Sequence, residues 1–226
     1  VSDSTLFTIQ SGDVLSGLDN IYYSVDSAPY KPYVSGIDFK NEKKYVIKYY
    51  SVDKVGNIET PKTQVLYVDK TSPNTTLKVT GDHNDSILAG NAIIKLSSED
   101  KESGVHKIIC KLNDNTEHLY TGTIYASLLK QGEYSLKYYS VDNLNQREDE
   151  HEFKFYIDKT PPTVIEEKIG KSFIANGVEY SSGASKLKIT SFDNKAGVKD
   201  IYYSINNSEY KLYDKPVTLS NIKGTL

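Results

Sequence analysis

Short runs of alternating apolar and polar residues recur along the whole chain, none longer than a single strand. In Ile21-Tyr22-Tyr23-Ser24-Val25 the residues Ile21, Tyr23 and Val25 fall on one face, and Tyr45, Ile47 and Tyr49 share a face in the same way. Leu6-Phe7-Thr8-Ile9 reads as a strand, as does Gln64-Val65-Leu66-Tyr67-Val68 with Leu66 and Val68 inward. A period of two marks a half-buried β-strand, and no segment sustains the 3.6-residue period of a helix. Turn chemistry separates the runs: Ser11 to Gly17 is polar and ends in glycine, and Asp26-Ser27-Ala28-Pro29 and Val55-Gly56-Asn57 follow the same logic. Tyr30-Lys31-Pro32-Tyr33 resumes an edge strand, since proline cannot donate to a central ladder.

The pattern repeats. Tyr49-Tyr50-Ser51-Val52-Asp53 returns as Tyr138-Tyr139-Ser140-Val141-Asp142, and Asp69-Lys70-Thr71-Ser72-Pro73 returns as Asp158-Lys159-Thr160-Pro161-Pro162, 89 residues later in both cases. A constant offset means a tandem array, and a period near 90 suits an immunoglobulin-like sandwich and exceeds a solenoid repeat. Ile108, Cys110 and Leu112 take the places of Ile21, Tyr23 and Val25; Tyr134, Leu136 and Tyr138 those of Tyr45, Ile47 and Tyr49; Phe155 and Ile157 those of Leu66 and Val68. Every substitution on that face stays apolar or aromatic, as a buried face requires. Thr75 to Val79 adds an opening strand that the first copy largely lacks, and Ile93 to Leu96 repeats Leu6 to Ile9. A third copy carries Leu187 to Thr190, Gly197, the triplet Ile201, Tyr203 and Ile205, and Tyr210 to Tyr213. The expected division is 1–70, 71–159 and 160–226, with the middle copy complete and the outer two short of strands.

The repeats resemble the bacterial Ig-like repeats found in tandem in outer-membrane and surface proteins, including those of spirochaetes. The resemblance is carried by Ser16-Gly17 with Ile21 to Ser24, by Tyr49 to Asp53 with Gly56-Asn57, and by Asp69-Lys70-Thr71 with Pro73. Ser103-Gly104, Tyr138 to Asp142 and Asp158 to Pro162 match in the second copy, and Gly197 with Ile201 to Ser204 in the third. It implies an all-β fold of tandem Ig-like sandwiches joined end to end. It further implies an extracellular or outer-surface setting and a role as spacer, adhesin stalk or accessory module.

Composition narrows this picture. Only Arg147 among the 27 basic residues is an arginine, and the lysines are scattered, so a nucleic-acid partner is not expected. No apolar run reaches the length of a membrane helix. The single cysteine, Cys110, excludes an intrachain disulfide, and its register with Tyr23 places it on an inward face. Tyrosine, at 19 residues against six phenylalanines and no tryptophan, favours a β protein with half-buried rings. Tyr45 and Tyr134 are placed to form the tyrosine corner of Ig-like sandwiches.

Candidate chemistry is sparse. The four histidines fall in separate segments without metal-ligand spacing, and no nucleophile or phosphate-loop motif is present, so no catalytic activity is expected. Tyr22, Tyr50, Tyr139 and Tyr202 lie opposite the expected core. They read either as cross-strand pairs stiffening a sheet or as an aromatic platform for sugars or a partner. Acidic residues gather at strand ends near the copy boundaries. Asp142, Asp158 and Asp193 could hold calcium there through oxygen ligands, although aspartate at a strand end equally caps a turn. No other cofactor is expected.

The preferred reading is a non-catalytic surface segment that presents something distal or grips a host or matrix protein, or a glycan. Its nearest neighbours would be further repeats of the same kind. The alternative is an accessory module of a large secreted polysaccharide-degrading enzyme. Both links lack a glycine-serine tract and end in proline, which fixes φ and extends the residue before it, so stiff joints between the copies and a semi-rigid rod are expected.

Overall fold

Strand by strand, the alternation is realised in the backbone. The computed structural model describes residues 1–2 and 4–219; the end of the third copy, 220–226, lies outside the described residues. In the first copy, β1 (Leu18–Val25), β2 (Lys31–Pro32), β3 (Lys43–Asp53) and β4 (Lys62–Val68) form one sheet of order β2-β1-β3-β4. The proline strand is at its edge. Ile9, Ile37, Phe39, Tyr45, Ile47 and Val68 form the buried core beside it, with Ile21, Tyr23, Val25, Tyr49 and Leu66 packed against them. Leu6 to Ile9 departs from expectation: it makes an isolated bridge, Phe7 to Ile37, and no strand. Its counterpart in the second copy has a neighbour on each side, and here a ladder has too little to propagate along.

The second copy supplies that neighbour. Its strands are β5 (Asn74–Thr80), β6 (His83–Asn84), β7 (Ile87–Ala89), β8 (Ile93–Glu99), β9 (Val105–Leu112), β10 (His118–Leu119), β11 (Ile124–Tyr125), β12 (Gly132–Asp142) and β13 (His151–Asp158). One sheet runs β11-β8-β5 and the other β10-β9-β12-β13-β7-β6, with β7 parallel to β13. Two sheets in this strand order make an Ig-like sandwich. Among the described residues the only helical turn is the short 3-10 segment Ala126–Leu128. The third copy carries β14 (Thr163–Ile169), β15 (Ser172–Ala175), β16 (Val178–Ser181), β17 (Lys186–Phe192), β18 (Tyr202–Tyr203), β19 (Lys211–Leu212) and β20 (Val217–Thr218). Asn176 and Gly177, both at positive φ, close the β15-β16 hairpin, the conformation a two-residue turn of this hand demands.

The chain divides into two compact units, and the division passes through the second copy. The first comprises 1–78, 95–123 and 135–153; the second comprises 79–94, 124–134 and 154–226. Within the first, Ile109, Tyr139 and Val141 form a second small core, on the opposite face of β9 and β12 from Leu136 and Tyr138. Cys110, on the same face as Leu136 and Tyr138, is half-buried and not sealed in as its register with Tyr23 suggested, and burial still pushes its thiol upward. In the second unit, Leu88, Ile94 and Ile157 are fully buried.

Turns recur with the strands. Gly17, Gly104 and Gly197 share φ of 79°, 78° and 78°, a left-handed conformation that a Cβ would strain. Where Gly56 (φ 90°) is replaced in the second copy, Asn145 adopts φ 66°, as asparagine tolerates. Tyr45 Oη donates to the Asn41 carbonyl at 3.1 Å, and Tyr134 Oη to that of Lys130 at 3.1 Å, so both tyrosine corners form. A second hydroxyl bond occurs in all three copies. Tyr33, Tyr120 and Tyr213 accept the backbone N–H of Ile9, Leu96 and Ile189, each 24 residues earlier, at 3.2, 3.0 and 2.9 Å.

That bond yields a prediction. Tyr120→Phe keeps the ring and deletes only the acceptor for Leu96 N–H, so it should cost about 1 kcal/mol. Urea titration of wild type and variant measures it, and an unchanged midpoint would show the staple to contribute nothing.

Candidate functional site

Carboxylates at strand ends and links do most of the long-range joining. A strand-terminal aspartate offers its oxygens to the next few backbone N–H groups, which are otherwise turned away from the ladder. Asp53 Oδ1 accepts from Val55 and Asn57 N–H, and its Oδ2 from Ser16 Oγ and Asn57 Nδ2. Donation from Ser16 outweighs desolvation and, with Asn57 and Val55, lowers this carboxyl to about 2. Asp142 repeats the set with Leu144 and Gln146 N–H, Ser103 Oγ and Gln146 Nε2, and is fully buried. In the glycine turns Asp13, Asp100 and Asp193 each accept the N–H of Gly17, Gly104 and Gly197.

The link aspartates form a third set. Asp69 Oδ1 accepts Thr71 N–H at 3.0 Å and Oδ2 accepts Ser103 N–H at 3.1 Å. Asp158 makes the same pair with Thr160 at 3.0 Å and Ala196 at 3.1 Å. Both side chains are buried, at 2% and 6% exposure, so the bonds are shielded from water. Burial pushes the Asp69 carboxyl up, but the bonds from Ser103 and Thr71 outweigh it and hold it below the usual range.

Among the described residues, the oxygens of Asp69, Asp100 and Asp142 lie within 4.8 Å of one another, and so do those of Glu42, Asp69 and Glu102. The structure thus brings Asp142 together with Asp69 and Asp100, in the first unit. Asp158 and Asp193 lie in the second. A calcium ion needs six to eight oxygens. Any cation near Asp142 would share carboxylates that already hold the link, the glycine turn and the end of β12.

One buried acid escaped the sequence reading. Glu148 accepts from Thr75 N–H at 2.9 Å, from Ser140 N–H at 2.6 Å, from Ser140 Oγ at 2.7 Å, and from Thr75 Oγ1. His151 Nε2 lies 3.2 Å away, its ring stacked on Tyr138 at 5.2 Å. Burial drives this carboxyl up, yet donation from Thr75 and Ser140 exceeds it and keeps it below the ordinary glutamate value. Glu148 thereby fastens β5 to β12. The available signal was Glu59, which stands eight residues after Ser51 as Glu148 does after Ser140 and accepts Ser51 Oγ at 3.0 Å.

The tyrosine rows resolve differently at each position. Tyr22 lies directly opposite Tyr50 across β1 and β3, the rings stacked at 5.5 Å, and Tyr30 meets Tyr50 edge-on at 4.9 Å. Tyr202 is exposed. Tyr139, expected on an open face, is 5% exposed. Arg147 covers its ring at 3.6 Å, and its hydroxyl donates to Glu117 Oε1 at 2.8 Å. The correction has a physical cause: the lone arginine supplies a planar lid that strand alternation cannot foresee.

No family model matches the chain, and no curated protein matches it. Among solved structures it is similar to the fibronectin(III)-like modules of Clostridium thermocellum CbhA, at 13% identity and a TM-score of 0.36, over 67% of this chain and 83% of that one.

Glu148 makes a pH prediction. Its folded pKa lies below the unfolded value, so its stabilisation is present above roughly pH 4.5 and is lost as pH falls through the folded value. Glu148→Gln should destabilise by roughly 2 kcal/mol or more at pH 7. The gap to wild type should narrow in urea titrations at lower pH; a pH-independent gap would mean that the charge contributes nothing.

Proposed function

We propose that the chain is a non-catalytic spacer built of tandem Ig-like repeats, divided near residues 70 and 159, whose joints resist bending. The observation that carries this reading is the link clamp. Asp69 and Asp158 each tie their own link, through Thr71 and Thr160, to the glycine turn of the following repeat, through Ser103 and Ala196. A clamp of two shielded, charge-assisted bonds opposes hinge opening where a flexible linker would permit it. The proline-containing links add to it by limiting backbone freedom. A spacer needs stiffness and tolerates any outer surface, which suits the scattered charges of this chain and the pairing of Tyr22 and Tyr30 with Tyr50. Display outside the cell is the setting that the resemblance to surface repeats implies, and a host or matrix protein or a glycan is the partner class that setting offers.

Each link carries a lysine beside the clamp, Lys70 or Lys159, so trypsin reads joint opening directly. Asp69→Ala and Asp158→Ala should each raise cleavage at the adjacent lysine by about tenfold or more, because charged hydrogen bonds of roughly 1.5–3 kcal/mol are removed. Cleavage at the wild-type rate would sink the stiff-joint reading.

A further inference from the structure

The first copy contains an open groove of about 320 Å³, lined by Ser11, Asp13, Ser51, Asp53, Asn57 and Glu59 among others. Every one of these has a counterpart in the second copy, and four of the six counterparts hold a segment of chain. Ser11 and Asp13 correspond to Ser98 and Asp100, 87 residues on; Ser51, Asp53, Asn57 and Glu59 correspond to Ser140, Asp142, Gln146 and Glu148, 89 residues on. Only Asn57 differs in type, and it keeps the amide.

In the second copy Ser98, Ser140, Gln146 and Glu148 receive residues 69–75. Ser98 Oγ donates to the Asn74 carbonyl at 3.3 Å. Glu148 takes Thr75 N–H and the Thr75 hydroxyl, Thr75 Oγ1 lies 2.9 Å from Ser140 Oγ, and Gln146 Nε2 donates to the Asp69 carbonyl at 3.3 Å. The seating is complete: Ser140 and Asp142 are wholly buried and Glu148 nearly so. In the first copy the same three positions, Ser51, Asp53 and Glu59, are only half-buried. Glu59 there pairs with Lys62, whose counterpart His151 likewise stays on Glu148. In the second copy the side chain on Glu148 thus leaves room for a strand, and Lys62 holds the same position on Glu59.

We infer that this groove is a docking site for an extended segment with the chemistry of the first link, Asp-Lys-Thr-x-Pro-x-Thr as in residues 69–75, contributed by another repeat of the same type; the second link, with Val164 in place of Thr75, lacks the threonine. The aspartate carbonyl meets Asn57. The threonine two residues after the proline gives its N–H and hydroxyl to Glu59, with Ser51 beside the hydroxyl. The residues that follow lie along Leu6 to Ile9, which makes only a single bridge to Ile37. Main-chain pairing supplies affinity in such strand addition, and the threonine pocket supplies selectivity. The inference rests on the register between copies and stands whether or not the segment acts as a spacer.

The route of entry is set by Val1. Its N-terminal amine donates to the Tyr67 carbonyl at 2.7 Å and its carbonyl accepts Asp69 N–H at 3.0 Å, so it runs beside Val68 as Leu88 runs beside Ile157. Fusing the sequence of residues 69–87 ahead of Val1 therefore delivers the segment along the path it takes in the second copy. In the fused full chain, thermal unfolding of the first copy should shift upward by about 4 °C or more. Hydrogen exchange at Ser51 and Glu59 should slow about tenfold. A fusion carrying Thr75→Val within the added segment, and the native fusion on a Glu59→Gln chain, should each lose at least half of both effects. No shift with the native fusion overturns the docking site, and equal shifts with the native and valine segments overturn recognition through the threonine.

Discussion

A carboxylate taken out of water must be given hydrogen-bond donors, or it neutralises itself by taking up a proton. That constraint organises this molecule. Asp69, Asp142 and Glu148 are each less than a tenth exposed, and each meets the requirement twice over. Near donors come from the turn that follows, as Leu144 and Gln146 do for Asp142. Distant donors come from other strands, as Ser103 does for Asp142 and Thr75 for Glu148. One side chain thus fixes a local turn and a long-range junction together, so neither can loosen without stripping donors from a buried charge.

The surplus of tyrosine over phenylalanine has a related origin. A phenylalanine would fill the same volume, but the hydroxyls are used. Tyr45 and Tyr134 return theirs to carbonyls four residues upstream, and Tyr33, Tyr120 and Tyr213 turn theirs toward an N–H 24 residues upstream. Between the sheets of a sandwich the ring lies in the core while its tip reaches a backbone group that would otherwise be buried without a partner.

Strand phase was legible in the residues because it is local: inward sets such as Tyr45 and Ile47, or Leu136 and Tyr138, are separated by two positions and need no knowledge of what lies across the core. Turn glycines and tyrosine corners were legible for the same reason. Asp142 was grouped with Asp158 and Asp193 and not with Asp69 and Asp100, because these two approach it from another link and another turn. Tyr139 was misread since its cover, Arg147, comes from a loop. Cys110 was read as buried from its register with Tyr23, and both positions are half-buried.

The two links show which feature of the joint is held fixed. From Asp69 to its partner Ser103 is 34 residues, and from Asp158 to Ala196 is 38. The third copy has a longer hairpin, β15-β16, in the intervening stretch, where the second has the brief β6-β7. Serine has also become alanine. Neither change alters the bond, which stays at 3.1 Å, because the aspartate reads a backbone N–H and is indifferent to the side chain that carries it. An interaction that ignores side-chain identity leaves the surfaces of successive repeats free to diverge while the joint between them stays the same.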